Sequence, residues 1–283
     1  MTRQMENYHI FQGNCREYMQ TLQGVDCIMT DPPYGIGKAE WDTSFDVSWM
    51  PDAARLTSKL CVMPGVWNIL DCPKSVDGLV YKWTLSARLI NGMTRGGLGF
   101  GNWIPLLIYS REIDKSAVVE WCSMFSDWCK ENGISKKDLN NATGTSDMGG
   151  WWTSKLPHRC NIPTPDQWAK IKTAFNPPPD FSDLIAPSTY TPIGDCREFV
   201  VGRDDKPDHP SPKPLNVMMW FIESTTKPGD TVFDPFMGSG TTGVACMKLG
   251  RKFIGCEIKP EYFHTAERRI REASQQLILD LSL

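Results

Sequence analysis

Apolar positions in the first half of the chain fall into short runs of strand length, separated by stretches of helical period. Tyr8–Gln12 predicts a strand and the segment around Arg16–Leu22 a helix. Val25–Thr30 predicts a buried strand that Asp31-Pro32 ends. Between Asp46 and Leu60 the apolar residues Trp49, Ala53, Leu56 and Leu60 share one face of a helix. Leu60–Met63, Gly65–Leu70 and Asn102–Ser110 read as further strands.

The pattern changes after Arg111. Ala117–Lys130 has helical period, with Val118, Trp121, Cys122, Phe125 and Trp128 along one side and Gly133 as its stop. Ser135-Lys136-Lys137-Asp138 has the form of a capping box. Thr164-Pro165-Asp166-Gln167 opens another helix that turns Trp168, Ile171, Ala174 and Phe175 inward, and Asn176-Pro177-Pro178-Pro179 ends it. A proline-rich loop then runs to about Thr191. From Asp208 onward helices and strands alternate: helix Lys213–Thr226, strand Thr231–Phe233, helix Thr241–Leu249, strand Arg251–Glu257 and helix Glu261–Leu277. Strands alternating with helices imply an α/β fold with a mostly parallel sheet. The helical stretch between them reads as an insert. Three segments are expected: 1–112, a helical insert at 113–198, and 199–283.

Composition narrows the class. A chain of 283 residues buries a sizeable core. Its net charge of −3 gives no electrostatic sign of a nucleic-acid partner, although a local basic groove is compatible with that total. Ten cysteines form no C-x-x-C pair and several sit in apolar runs, so they read as small buried hydrophobes in a reducing compartment. The four histidines form no metal-ligand cluster, and no metal is expected. The first residues, MTRQMENYHIF, are too polar for a signal peptide, and no apolar stretch reaches membrane-spanning length. The expected location is the cytoplasm, with no membrane partner.

Gly238-Ser239-Gly240-Thr241-Thr242-Gly243 has the form G-x-G-x-x-G, between a predicted strand and a predicted helix. Glu257 ends the next strand, where an acidic side chain would meet ribose hydroxyls. Alone, this predicts a dinucleotide site and an oxidoreductase. The strand, however, ends in Asp234-Pro235 with Phe236 following. A carboxylate there repels pyrophosphate, whereas both it and an aromatic face suit a cation. S-adenosylmethionine carries a sulfonium, an ammonium and a ribose, and no phosphate. A P-loop is excluded, because no Gly-Lys-Ser/Thr follows. A tight turn with no ligand is the plain alternative.

Asp31-Pro32-Pro33-Tyr34 has a chemistry of its own. Each proline fixes φ, lacks an N–H and pushes the preceding residue toward extended geometry. The result is a stiff loop whose carbonyls are free to accept hydrogen bonds. One carboxylate and one or two carbonyls form an acceptor pocket for an amino group, and Tyr34 can stack on the ring that bears it. Acceptors on both hydrogens favour a tetrahedral nitrogen with a free lone pair, able to attack a sulfonium methyl. Asp31 is placed to take the released proton. An ordinary turn is again the plain alternative. In an open α/β sheet, ligands bind at the carboxyl ends of strands, so Asp31, Asp234 and Glu257 share one rim if their strands share one sheet.

These residues carry a resemblance. DPPYGIG at 31–37, HPSPKP at 209–214, VFDPFMGSGTTG at 232–243 and FIGCEIKPEY at 253–262 are similar to motifs of the DNA amino-methyltransferases. That family modifies adenine N6 or cytosine N4 with S-adenosylmethionine. The catalytic motif precedes the cofactor motif, as in the permuted β group. The resemblance implies a Rossmann-like methyltransferase sheet with a helical target-recognition insert, in a bacterial or phage-encoded protein. It makes Asp31 the amine acceptor, Pro32 the carbonyl acceptor and Tyr34 the stacking ring, with Pro33 among the catalytic residues. It assigns Asp234, Pro235, Phe236, Gly238, Ser239, Gly240 and Thr241 to the cofactor loop and Glu257 to the ribose. It sets Lys213 beside the methionine end and brings Asp31 next to the cofactor. Asn14 stands where the family often has Asp, so it can contribute a hydrogen bond but no charge. Asp at position 31 leans toward adenine.

The implied activity is DNA adenine-N6 methylation of a flipped-out base. Cytosine N4 and a nicotinamide-dependent oxidoreductase are the alternatives. The expected partner is DNA, and a homodimer is left open. The insert carries eight Lys/Arg against six Asp/Glu between Lys115 and Phe175. A loose helix-turn-helix reading gives a recognition helix near Ser146–Lys155 and sets Lys155, His158 or Arg159 near DNA. Gly149-Gly150 departs from that pattern.

Overall fold

The computed structural model describes residues 2–4, 7–37, 40, 42–90, 94–96, 99–111, 116–155, 163, 165–178, 195–201 and 213–280. In chain order the first elements are β1 (Thr2–Gln4), β2 (Tyr8–Gln12), α1 (Cys15–Met19), β3 (Cys27–Thr30), α2 (Met50–Leu56) and β4 (Lys59–Val62). Next come β5 (Ser75–Val76), β6 (Leu79–Leu89), β7 (Thr94–Gly96), β8 (Gly99–Gly101) and β9 (Trp103–Arg111). Four helices follow: α3 (Ser116–Glu131), α4 (Lys136–Thr143), α5 (Met148–Trp152) and α6 (Pro165–Phe175). The remainder is β10 (Cys196–Phe199), α7 (Leu215–Thr225), β11 (Thr231–Asp234), α8 (Thr241–Lys248), β12 (Lys252–Glu257) and α9 (Pro260–Asp280).

The main sheet has the order β1-β2-β12-β11-β3-β4-β9-β6-β10, with β5 paired to β6. From β2 to β4 every pairing is parallel. β9 then pairs antiparallel with β4, and β6 antiparallel with β9. This is the α/β sheet expected from alternating strands and helices. All four residues of β3 are buried, as a strand covered on both faces requires.

The chain divides into two compact units, Met1–Glu112 with Gly194–Leu283, and Ile113–Ile193. The first holds the sheet. Part of its core is Met19, Ile28, Met50, Leu60, Leu79 and Phe233. The second is helical around Trp121, Phe125, Leu139, Trp152, Trp168 and Ile171. Ser135 caps α4 in the expected capping box with Asp138.

Several elements differ from the sequence expectation. The Asp46–Leu60 helix contracts to α2, because the Asp46 carboxylate takes the Ser48 N–H at 2.8 Å and Thr57 is extended. Leu60 lies on β4. Gly65–Leu70 is a series of turns rather than a strand. β6 escaped the pattern because its register shifts between Tyr81 and Trp83, which breaks the alternation of buried positions. Ala174 is exposed rather than inward. α5 spans one short turn, not Ser146–Lys155. The proline-rich loop to Thr191 lies outside the described residues.

Candidate active site

The strands β3, β11 and β12 are adjacent and parallel, so their carboxyl ends lie side by side. A cleft of about 250 Å³ opens at this rim. It is lined by Asp31, Pro32, Pro33 and Tyr34 after β3, by Asp234, Phe236, Met237, Gly238, Ser239, Thr241 and Thr242 after β11, and by Glu257, Ile258 and Lys259 at the end of β12. Asp42, Met63, Lys213, Met218 and Tyr262 complete it. Two motifs separated by about two hundred residues thus meet across one gap.

On one side the Tyr34 hydroxyl and the Lys213 ammonium both donate to the Asp31 carboxylate, one to each oxygen. Lys213 Nζ lies 5.1 Å from the centroid of the Tyr34 ring, within cation–π range. Lys213, expected beside the methionine end, is therefore also the counter-ion of Asp31. Burial, then the negative charge of Asp31, pushes the Tyr34 phenol well above its ordinary range, so it stays a donor. The ring rests against Gly65, where an added Cβ would sit 3.4 Å from it.

On the other side the Asp234 carboxylate is turned inward. It accepts the hydroxyls of Thr30 at 2.7 Å and Thr242 at 2.6 Å and the N–H of Phe236 at 3.1 Å. With 2 % of the residue exposed, burial raises its pKa to about 6. The expected cation-facing carboxylate is instead a buried brace for the strand ends. Phe236 packs edge-on against Trp49, 5.2 Å between ring centroids. Gly240 caps α8 with φ +79°, and an added Cβ there would lie 2.8 Å from Ala266 Cβ, so only glycine fits this turn. Pro235 and Gly240 shape the loop without lining the cleft.

Glu257 accepts the N–H of Gly238 at 3.0 Å on one oxygen and that of Lys259 at 2.9 Å on the other. Burial raises its pKa, against the pull of those backbone donors. Each oxygen keeps acceptor capacity for a hydroxyl. Arg269 on α9 donates from Nη1 to the Ser239 carbonyl at 2.5 Å and to the Thr241 hydroxyl at 3.3 Å, pinning the glycine loop from behind.

Other expected residues lie elsewhere. The exposed Asn14 caps α1, accepting the Arg16 N–H at 2.9 Å, and is not among the residues that line the cleft. Lys155 lies past the end of α5 in an exposed ion pair with Asp127 at 2.9 Å. His158 and Arg159 lie outside the described residues. Sequence reasoning missed Asp42, Ile258 and Arg269. Ile258, directly after the strand-ending Glu257, is 63 % exposed and lines the cleft.

Fold and cleft are those of an α/β chain of the Rossmann-like class, with a candidate site at the carboxyl rim of the parallel strands. The cleft pairs a carboxylate-and-aromatic loop with a glycine loop, which suits transfer between two bound molecules. Residues 135–268 match the family model described as DNA methylase, for the N6/N4 enzymes. The chain is 28 % identical to the type II methyltransferase M1.MboII of Moraxella bovis, over 93 % of this chain and 96 % of that protein. It is 25 % identical to the DNA adenine methyltransferase YhdJ of Escherichia coli K12, over 89 % and 78 %. Among solved structures, the M1.HpyAVI–SAM complex superimposes with a TM-score of 0.53 at 23 % identity, covering 93 % of this chain and 99 % of that one. The cytosine-N4-specific PvuII DNA methyltransferase gives a TM-score of 0.50 at 15 % identity, covering 96 % and 93 %. The chain is thus similar to the N6/N4 DNA methyltransferases over most of its length.

Proposed function

We propose that this chain transfers a methyl group from S-adenosylmethionine to adenine N6 of a base flipped out of DNA. One observation carries the reading. The Asp31–Tyr34 loop and the Gly238–Thr241 loop, on adjacent parallel strands, line the same cleft.

The residues present fit S-adenosylmethionine better than a dinucleotide. Asp31 and Glu257 put two carboxylates on the lining, which repel a pyrophosphate. Glu257 would hold the ribose, Phe236 and Ile258 the adenine surroundings, and Lys213 the methionine end, with Asp31 beside it as the counter-ion of Lys213. When bound, this group supplies an electrophilic methyl on a sulfonium. The chain's own part is to accept and orient. Asp31 would accept a hydrogen of the target amine and then hold the proton it releases, while the Tyr34 ring stacks on the base. The stiff Pro32-Pro33 turn offers its carbonyls to the second hydrogen.

No helix among the described residues is long and apolar enough to cross a membrane. We place this activity on DNA in the cytoplasm. One relative, YhdJ, is named for adenine modification, which supports adenine over cytosine. Mapping of modified bases in DNA from cells that express the chain, with Asp31→Ala as control, tests the proposal. N6-methyladenine at a recurring sequence, absent with the variant, is the expected result. N4-methylcytosine in its place would correct the base, and no modification would overturn the reading.

A further inference from the structure

Asp42 belongs to none of the recognised motifs, yet it lines the cleft and is 2 % exposed. Its Oδ1 accepts the backbone N–H groups of Tyr34 at 2.7 Å and Gly35 at 2.6 Å, and its Oδ2 accepts that of Ile36 at 3.3 Å. Its own carbonyl accepts the Gly37 N–H at 2.9 Å. Four successive donors of the loop therefore converge on one residue. The turn depends on Gly35, whose φ is +71° and whose added Cβ would lie 2.5 Å from Phe45 N. Successive N–H groups in such a turn form a concave nest for an anion. An internal carboxylate fills it with charge-assisted hydrogen bonds.

The other side of the same residue is held as well. Asn68 Nδ2 donates to the Tyr34 carbonyl at 3.0 Å and to the Pro64 carbonyl at 3.1 Å. The N–H of Tyr34 is thus fixed by Asp42 and its carbonyl by Asn68, while its hydroxyl meets Asp31. Residues 31–37 belong to no helix or strand, so the sheet does not set their backbone.

We propose that Asp42 is a positioning residue for methyl transfer. It locks the Tyr34–Gly37 backbone and so sets the pose of the Tyr34 ring and the Asp31 carboxylate without touching the base. This rests on the transferase reading above. It separates binding from turnover, because these bonds of the clamp go to the acceptor loop.

The test compares the wild-type chain with Asp42→Ala, Asp42→Asn and Leu79→Val. Leu79 is buried on β6, away from the cleft, and its substitution controls for general destabilisation. Turnover and KM on DNA, S-adenosylmethionine affinity by calorimetry, and amide hydrogen exchange of residues 34–37 are measured. Asp42→Ala is expected to lower kcat about 100-fold, the scale of an ångström's misplacement, with cofactor affinity unchanged. Asp42→Asn keeps an accepting oxygen for Tyr34 and Gly35 and is expected to recover about tenfold. Exchange at 34–37 should accelerate in Asp42→Ala and not in Leu79→Val. A kcat for Asp42→Ala no lower than that of Leu79→Val would overturn the proposal. So would a loss of cofactor affinity in proportion to kcat. Failure of the wild-type chain itself to methylate DNA would remove the transferase reading, and is distinguished because it needs no variant.

Discussion

The Thr30 hydroxyl donates to the Asp234 carboxylate at 2.7 Å, across 204 residues of sequence. Thr30 immediately precedes the acceptor loop and Asp234 opens the glycine loop, so one hydrogen bond ties the roots of both. Thr242 adds a second hydroxyl from α8. The brace sits below the cleft, and burial keeps it out of water.

That burial has a consequence for pH. Asp234 titrates at about 6 in the folded chain against an ordinary 3.8, because desolvation disfavours its charge. Between these values the folded state binds the proton more tightly than the unfolded state. Its contribution to stability therefore rises as pH falls from about 6 toward about 4, and a cost on the order of 3 kcal/mol stands above that window. Asp234→Asn is expected to flatten this part of the profile, as read by urea unfolding at a series of pH values.

Asp31 and Glu257 should separate chemistry from cofactor binding. Asp31→Ala is expected to abolish methyl transfer while calorimetric affinity for S-adenosylmethionine stays near the wild-type value. Loss of that affinity would show that Asp31 serves the cofactor more than the amine.

Glu257→Ala should do the opposite. Removing a buried carboxylate acceptor costs about 1.5–3 kcal/mol, or roughly 10- to 150-fold in cofactor affinity. Turnover at saturating cofactor is expected to persist. A kcat loss as large as the affinity loss would place Glu257 in the transfer step itself.

Tyr34 offers a graded test. Tyr34→Phe removes only the hydroxyl that donates to Asp31 and is expected to keep most activity. Tyr34→Ala removes the ring and should lose about 1–3 kcal/mol of base stacking. Steady-state kinetics on one DNA duplex distinguishes the two.

Arg269→Ala should loosen the glycine loop from behind. The loss of its bonds to Ser239 and Thr241 is expected to weaken cofactor affinity about tenfold, the scale of one charge-assisted hydrogen bond. Calorimetry reads it directly, and an unchanged affinity would show that the loop holds its shape unaided.

Much of this was written in short windows of sequence. Cys27–Thr30 and Lys252–Glu257 are uninterrupted or nearly uninterrupted buried runs, and local period identifies them. Asp31-Pro32-Pro33-Tyr34 and Gly238–Thr241 were legible because proline restricts the backbone, and glycine frees it for tight turns, wherever they stand. What the windows lacked was adjacency. β6 went unread because a shift at one position broke its alternation. Asp42, Arg269 and the ion pair between Lys213 and Asp31, 182 residues apart, leave no periodic trace. The order β12-β11-β3 brings the roots of the two loops together, since which strands become neighbours depends on crossovers and on burial of the whole sheet. Local torsional preference chose the elements and the chemical groups; long-range packing chose which of them meet.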